Sequence, residues 1–130
     1  LPVEWATTQN NLANAYSNRI KGDRAENIEN AIAAYTAALT IRTREALPVD
    51  WAATQNNLAN AYRERIKGDR AENVEIAITA STAALTVYTR EALPVEWATT
   101  QNNLGIAYSD RIKGDKAENI ENALAAFTAA

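Results

Sequence analysis

The chain contains no cysteine, no histidine and no methionine. Without cysteine there is no disulfide framework and no thiolate metal site, which points to a reducing compartment and a cytoplasmic location. Without histidine and cysteine, the commonest catalytic base, thiol nucleophile and zinc ligands are absent. Serine and threonine then lack an imidazole to activate them, and lysine is the only remaining base. The four glycines are too scattered to form a phosphate-cradling loop. The expectation is a protein that is not an enzyme and takes no cofactor and no metal. A formal net charge of -3 supplies no global pull towards nucleic acid. The longest mostly apolar run, Ala31–Ile41, is broken by Thr36 and Thr40 and is far too short to span a bilayer. No signal-peptide pattern opens the chain. The missing initiator methionine suggests a piece of something longer.

What the sequence does have is self-similarity. LPVEW at position 1, LPVDW at 47 and LPVEW at 93 mark a period of 46 residues. Of the first 46 residues, 36 recur in the second unit, and 32 of the 38 shared positions recur in the third. A period of this size means stacked supersecondary units that bury their faces against one another. The third unit, 93–130, lacks its last eight residues relative to 1–46 and 47–92.

Each unit reads as two helices, and no segment has the alternation of a strand. Pro2, Pro48 and Pro94 suit a first helical position, and the leucine before each is pushed out of the helical region. Trp5, Gln9, Leu12, Tyr16 and Ile20 then fall on one stripe at helical spacing. Gly22, Gly68 and Gly114 interrupt the pattern. Asp23 with Glu26, repeated as Asp69/Glu72 and Asp115/Glu118, resembles a capping box, in which the glutamate reaches back to the cap. Ala25, Ile28, Ile32, Tyr35, Leu39 and Ala46 make a second stripe. The leading helix is expected over roughly 3–20 and the trailing helix over roughly 24–45. The next proline follows almost at once, so trailing and leading helices pair tightly and antiparallel.

By length alone the period suits HEAT-type repeats better than the roughly 34 residues of tetratricopeptide repeats. The residues resemble the latter. The tetratricopeptide pattern W-x2-L-G-x2-Y…A-x3-F is matched by Gln101, Leu104, Gly105 and Tyr108, then Ala123 and Phe127. In the first unit the places are held by Gln9, Leu12, Ala13, Tyr16, Ala31 and Tyr35. Glutamine stands for the family tryptophan, and Ser81 for the family aromatic. The run WATTQNNLANAY is also similar to the long repeats of kinesin light chains. The RIKGDRAEN-type turn resembles bacterial multi-repeat proteins joined to caspase-like protease or signalling domains. The resemblance spans the whole chain and implies an all-α, right-handed α-solenoid of antiparallel helix pairs with three repeats. In such superhelices the free face of the leading helix lines a concave groove that holds extended peptides.

The triplet Gln-Asn-Asn at 9–11, 55–57 and 101–103 is poor helix material, so its retention needs a reason. Relative to Leu12, Asn10 and Asn14 lie about 160° around the helix, with Thr7 and Ser17 beside them. An amide offers both donor and acceptor and reads a peptide main chain without charge. The candidate peptide-binding rows are therefore Thr7, Asn10, Asn14 and Ser17; then Ala53, Asn56, Asn60 and Arg63; then Thr99, Asn102, Ile106 and Ser109. Asn11, Asn57 and Asn103 lie between groove and helix pack, placed to bridge repeats. The plainer reading is that the asparagines are solvated or tie repeat to repeat. Trp5, Trp51 and Trp97, with Tyr16, Tyr62 and Tyr108, are expected in the core. Tyr88, which replaces Arg42, is expected to fill volume that Ser81 leaves where Tyr35 stands.

Nine of the 13 basic residues sit in the turns between the two helices, at Arg19, Lys21, Arg24 and their equivalents. Stacking aligns them along one edge, but each turn also carries an Asp and a Glu for local pairing. No aromatics interleave them for base stacking, so nucleic acid is disfavoured as a partner. The expected role is a scaffold binding a protein or peptide segment. The alternative is a structural spacer or self-assembling segment of a larger signalling or protease-containing protein. Near-identical units with no atypical polar cap also suggest head-to-tail self-association, open rather than closed.

Overall fold

A computed structural model describes all 130 residues. It contains six helices and no strand: α1 (Pro2–Asn18), α2 (Arg24–Ala38), α3 (Pro48–Glu64), α4 (Arg70–Ala84), α5 (Pro94–Asp110) and α6 (Lys116–Ala129). Consecutive helices pack as three hairpins, α1/α2, α3/α4 and α5/α6, stacked in chain order. The leading helices α1, α3 and α5 approach one another along the stack, whereas α2, α4 and α6 make no mutual contact. The leading helices therefore hold the inner side of an all-α solenoid. No helix is long and apolar enough to cross a membrane.

Local chemistry sets the helix starts. Each leading helix opens on its proline, whose missing N–H is no loss in a first turn. Leu47, held outside the helical region at φ -140 and ψ 69, still accepts the first helical bond from Trp51 at 2.7 Å. Each trailing helix opens on an aspartate: Asp23, Asp69 and Asp115 accept from the backbone N–H of Glu26, Glu72 and Glu118, each at 3.0 Å. The reciprocal half of the capping box is made at none of the three sites. Glu26 and Glu72 instead give their carboxylates to Lys67 and Lys113 of the following repeat. Gly22, at φ 85, takes the left-handed conformation that turns the chain from α1 into α2.

The trailing helices end earlier than the expected position 45, at Ala38 and Ala84. Thr40 and Thr86 bond their hydroxyls to the carbonyls of Ala37 and Ala83 at 2.7 Å, drawing the last turn off the helical ladder. Thr43 then accepts from Ala46 N–H at 3.2 Å, and a turn of its own delivers Leu47 to the proline. Ala46 is exposed rather than on a buried stripe.

The buried core is built mainly of alanine: Ala6, Ala13, Ala31, Ala38, Ala52, Ala59, Ala77 and Ala84 are almost fully enclosed. Ile28 and Val74 are the largest fully buried side chains. The buried face of α1 is Ala6, Asn10 and Ala13. That is one residue, about 100° of helix, away from the expected stripe of Trp5, Gln9 and Leu12. The large apolar side chains instead sit at the seam between hairpins. Trp51 and Trp97 are partly buried against Ala52, Ala84 and Tyr88. Leu58 packs against the cluster formed by Ala31, Ala34, Tyr35 and Ala61. Trp5, in the first hairpin, is 44% exposed.

Candidate functional site

The structure divides the amide rows into two sets. Asn10 is buried, and its Oδ1 accepts the hydroxyl of Thr54 in the next repeat at 2.9 Å. Asn56 is half-buried and repeats this with Thr100 at 3.2 Å, and Asn103 also donates to it at 3.4 Å. These two asparagines tie repeat to repeat rather than facing an open groove, because the inner helices stand close enough for their side chains to meet. Asn102, the third in the series, is exposed, as are Thr99 and Ser109. Thr7 is exposed and donates to the Val3 carbonyl at 3.1 Å.

The second set is one helical turn further on. Asn14, Ser17, Asn57 and Asn60 line a polar recess of about 270 Å³ between the first and second repeats. Tyr35 stands at its floor, donating its hydroxyl to Asn14 Oδ1. Burial pushes the Tyr35 phenol above its ordinary pKa, with the nearby Glu64 carboxylate adding to it. Arg24 and Glu64 close the rim as an ion pair at 2.9 Å, and Arg24 also donates to the Ser17 carbonyl. Both members are about half exposed, so the pair is weak and opens readily.

At the next junction the same places carry different chemistry. Ser81 stands where Tyr35 does, and the Oδ1 of Asn60, the equivalent of Asn14, is buried with no partner. Tyr88 is buried as expected, but against Ala52 and Ala84 beside the tryptophans. The polar end of the missing tyrosine has no replacement. Ile106 and Arg63, both half-buried, hold the places of Asn14 and Ser17 in their repeats. In the third repeat Ile106 stands in the place of the asparagine, and the aromatic is Phe127, which lacks a hydroxyl. Its ring lies over Gly105, where a Cβ would stand only 2.6 Å away.

The turn charges are not paired locally. All six ion pairs join one repeat to the next. Arg65 grips Glu29 through two bonds of 2.7 Å, and Arg111 grips Glu75 at 2.8 and 2.9 Å. Tyr62 and Tyr108 lie under these guanidinium groups, at 5.6 and 5.9 Å. The arginine hydrogen bonds hold the Glu29 and Glu75 carboxyls below their ordinary range.

Two further sets of polar residues were not singled out by sequence reasoning. Asn27, Asn73 and Asn119 are buried and lock each turn, donating to the carbonyls of Lys21, Lys67 and Lys113 at 2.8 to 3.0 Å. Their threefold repetition beside the aspartate cap was the available signal. Arg42 is also buried, at 7% exposure, and donates to Thr54 and Thr7 at 3.1 and 3.2 Å. No group of three or more His, Cys, Asp or Glu side chains is placed to hold a metal ion.

The tetratricopeptide repeat family matches residues 5–45, 51–76 and 97–127. No curated protein and no solved structure matches the chain significantly. Repeats of this family generally mediate protein–protein interaction and are typically scaffolds rather than enzymes. With three matched repeats and three stacked helical hairpins, the chain belongs to the tetratricopeptide repeat family.

Proposed function

We propose that the protein is an interaction scaffold that holds an extended peptide or protein segment along the inner helices, anchored at the recess between the first two repeats. The observation that carries this reading is the convergence of Asn14, Ser17 and Asn60 on one polar hollow of about 270 Å³. The Asn14 oxygen is taken by Tyr35 and the Asn60 oxygen is buried, but neither side-chain NH2 donates within the chain, which leaves both as donors for the carbonyls of a peptide main chain. Arg24 and Glu64, whose mutual pair is weak, are free to exchange each other for charged side chains of the guest. Arg63, Thr99, Ile106 and Ser109 extend the same inner face, with Ile106 offering an apolar contact beyond the recess. Asn10 and Asn56 brace the row from between the repeats, Thr7 flanks it on the exposed side of the first repeat, and Asn102 is its open end. A cytoplasmic location and attachment to a protease or signalling domain in a bacterial parent belong to the same proposal. They rest on the absence of cysteine and on the likeness of the turns.

The test is affinity for a peptide selected from a displayed random library by panning on the chain. Asn14→Ala and Asn60→Ala are each expected to weaken the selected peptide about tenfold, the loss of one or two buried hydrogen bonds. Glu45→Gln, on an exposed turn, leaves binding unchanged. If no asparagine substitution changes the affinity, or panning returns no binder, the reading fails.

A further inference from the structure

Charge is divided unevenly between leading and trailing helices. The inner helices α1, α3 and α5 carry five acidic residues, Glu4, Asp50, Glu64, Glu96 and Asp110, and one basic residue, Arg63. The whole chain has 16 acidic and 13 basic residues, so its negative excess lies on these three helices. Both kinds of helix have an acid in the first turn, where it suits the helix dipole. On the trailing helices, Glu26 and Glu72 are each neutralised by a lysine of the following repeat. On the leading helices, Glu4, Asp50 and Glu96 enter no ion pair. Asp50 is half-buried with a repeat on either side, so its unpaired state belongs to the inner face itself.

These acids stand on the face that carries the recess. Residues seven apart lie only about 20° from each other around a helix. Asp50, Asn57 and Glu64 therefore form one stripe along α3, and Asn57 and Glu64 line the recess. Glu96, Asn103 and Asp110 repeat the stripe on α5, and Glu4, Asn11 and Asn18 on α1. At one end of the stripes Glu64 and Asp110 take Arg24 and Arg70. At the other end no cation meets Asp50 or Glu96. Tyr88 is buried there, a neutral ring in the place that Arg42 holds one repeat earlier. Burial first, and then the carboxylates of Glu96 and Asp50, push its phenol above the ordinary value, so both acids bear on one point.

We infer that the segment held along the inner face is a basic one, with lysine or arginine side chains set against Asp50 and Glu96. The inference rests on the proposed peptide-holding role and names the chemistry of the guest. A cation placed there meets carboxylates from two neighbouring repeats. One of them, Asp50, is half-buried, where a charge pair is screened less than in open water. An acidic guest would meet like charge along the row, which costs affinity and slows encounter. Arg24 and Arg70 do not offset this, because they only balance Glu64 and Asp110.

Panning a displayed random peptide library on the 130-residue protein tests this. The selected peptides are expected to be enriched in lysine and arginine over the unpanned library. The tightest of them should bind Asp50→Asn with Glu96→Gln about tenfold more weakly, and should lose as much on the parent when its own lysines and arginines are replaced by glutamine. Added salt should weaken it on the parent and much less on the double variant. Thermal melts establish that the variant folds. Glu45→Gln with Glu91→Gln removes the same charge from exposed turns and leaves the affinity unchanged. Selected peptides without a basic excess, or a double variant that binds them as the parent does, would overturn the inference. If Asn14→Ala and Asn60→Ala still weaken those peptides, the peptide-holding role stands without it. A library that returns no binder would overturn both.

Discussion

Tyr35 of α2 donates its hydroxyl to Asn14 of α1, joining the two helices of the first hairpin through one polar bond at the floor of the recess. The three repeats treat this pair in three ways. The first keeps both partners, the second keeps asparagine but has Ser81, and the third has Ile106 with Phe127. Polar with polar and apolar with apolar are both self-consistent. The mixed case leaves the Asn60 oxygen buried without a donor.

Tyr35→Phe is therefore expected to destabilise the protein by about 1 kcal/mol, since it removes the donor to the oxygen of the half-buried Asn14. The double substitution Asn14→Ile with Tyr35→Phe, which copies the third repeat, recovers most of that loss. Urea unfolding of the two single variants and the double variant measures the coupling. Simple additivity would show that the bond contributes nothing.

The Glu29–Arg65 and Glu75–Arg111 pairs give a prediction with pH. The folded carboxyls titrate below their ordinary value of 4.5 because the arginine hydrogen bonds favour the charged form. Their contribution is complete above that ordinary value and is lost as pH falls through the lowered one. Glu29→Gln with Glu75→Gln is expected to cost about 1 kcal/mol per pair near neutral pH, each side chain being about a quarter exposed. Melts across the acid range should show parent and variant converging as pH falls from the ordinary value of 4.5 through the lowered one. A constant difference down the acid limb would contradict the assignment.

Arg42 fills a buried place with a charge, and Tyr88 fills the same place in the next repeat without one. The partner changes with it. Arg42 donates to Thr7, whereas the equivalent of Thr7 beside Tyr88 is Ala53. Arg42→Ala is expected to cost about 2–4 kcal/mol, through lost packing and the lost bond to Thr54. Arg42→Tyr with Thr7→Ala is expected to stay within about 1 kcal/mol of the parent. Denaturant midpoints of these variants decide it.

Gly68 lies at φ 81, and an added Cβ would stand 3.1 Å from the Arg65 guanidinium that holds Glu29. Gly68→Ala is expected to cost about 1–2 kcal/mol from the left-handed backbone alone. It should also weaken the response of stability to acid, because the arginine is displaced from Glu29. An alanine variant with parental stability would show that the turn relaxes without strain.

The architecture was readable because its signals are local and occur three times. Proline opens one helix, aspartate caps the other, and glycine turns between them. What was misplaced depends on distance in the chain. The buried stripe of α1 lies one residue from the one marked by Trp5 and Leu12, because alanine signals little by its own hydrophobicity while close helix packing selects it. The turn charges looked locally paired, yet the partners of Arg65 and Lys67 are 36 and 41 residues away. The trailing helices ended early because threonine hydroxyls competed for the last carbonyls. The amide rows were legible as a special feature of the inner helices. Only the stacking distinguishes Asn10, drawn between repeats, from Asn14 and Asn60 at the recess.

That distinction is measured most directly by the side-chain amide NMR spectrum of nitrogen-labelled protein, titrated with a library-selected peptide. The amide resonances of Asn14, Asn57 and Asn60 are expected to shift with the peptide, while those of Asn27, Asn73 and Asn119, locked in the turns, stay in place. Shifts confined to α2, α4 and α6, with the recess amides unmoved, would contradict the account.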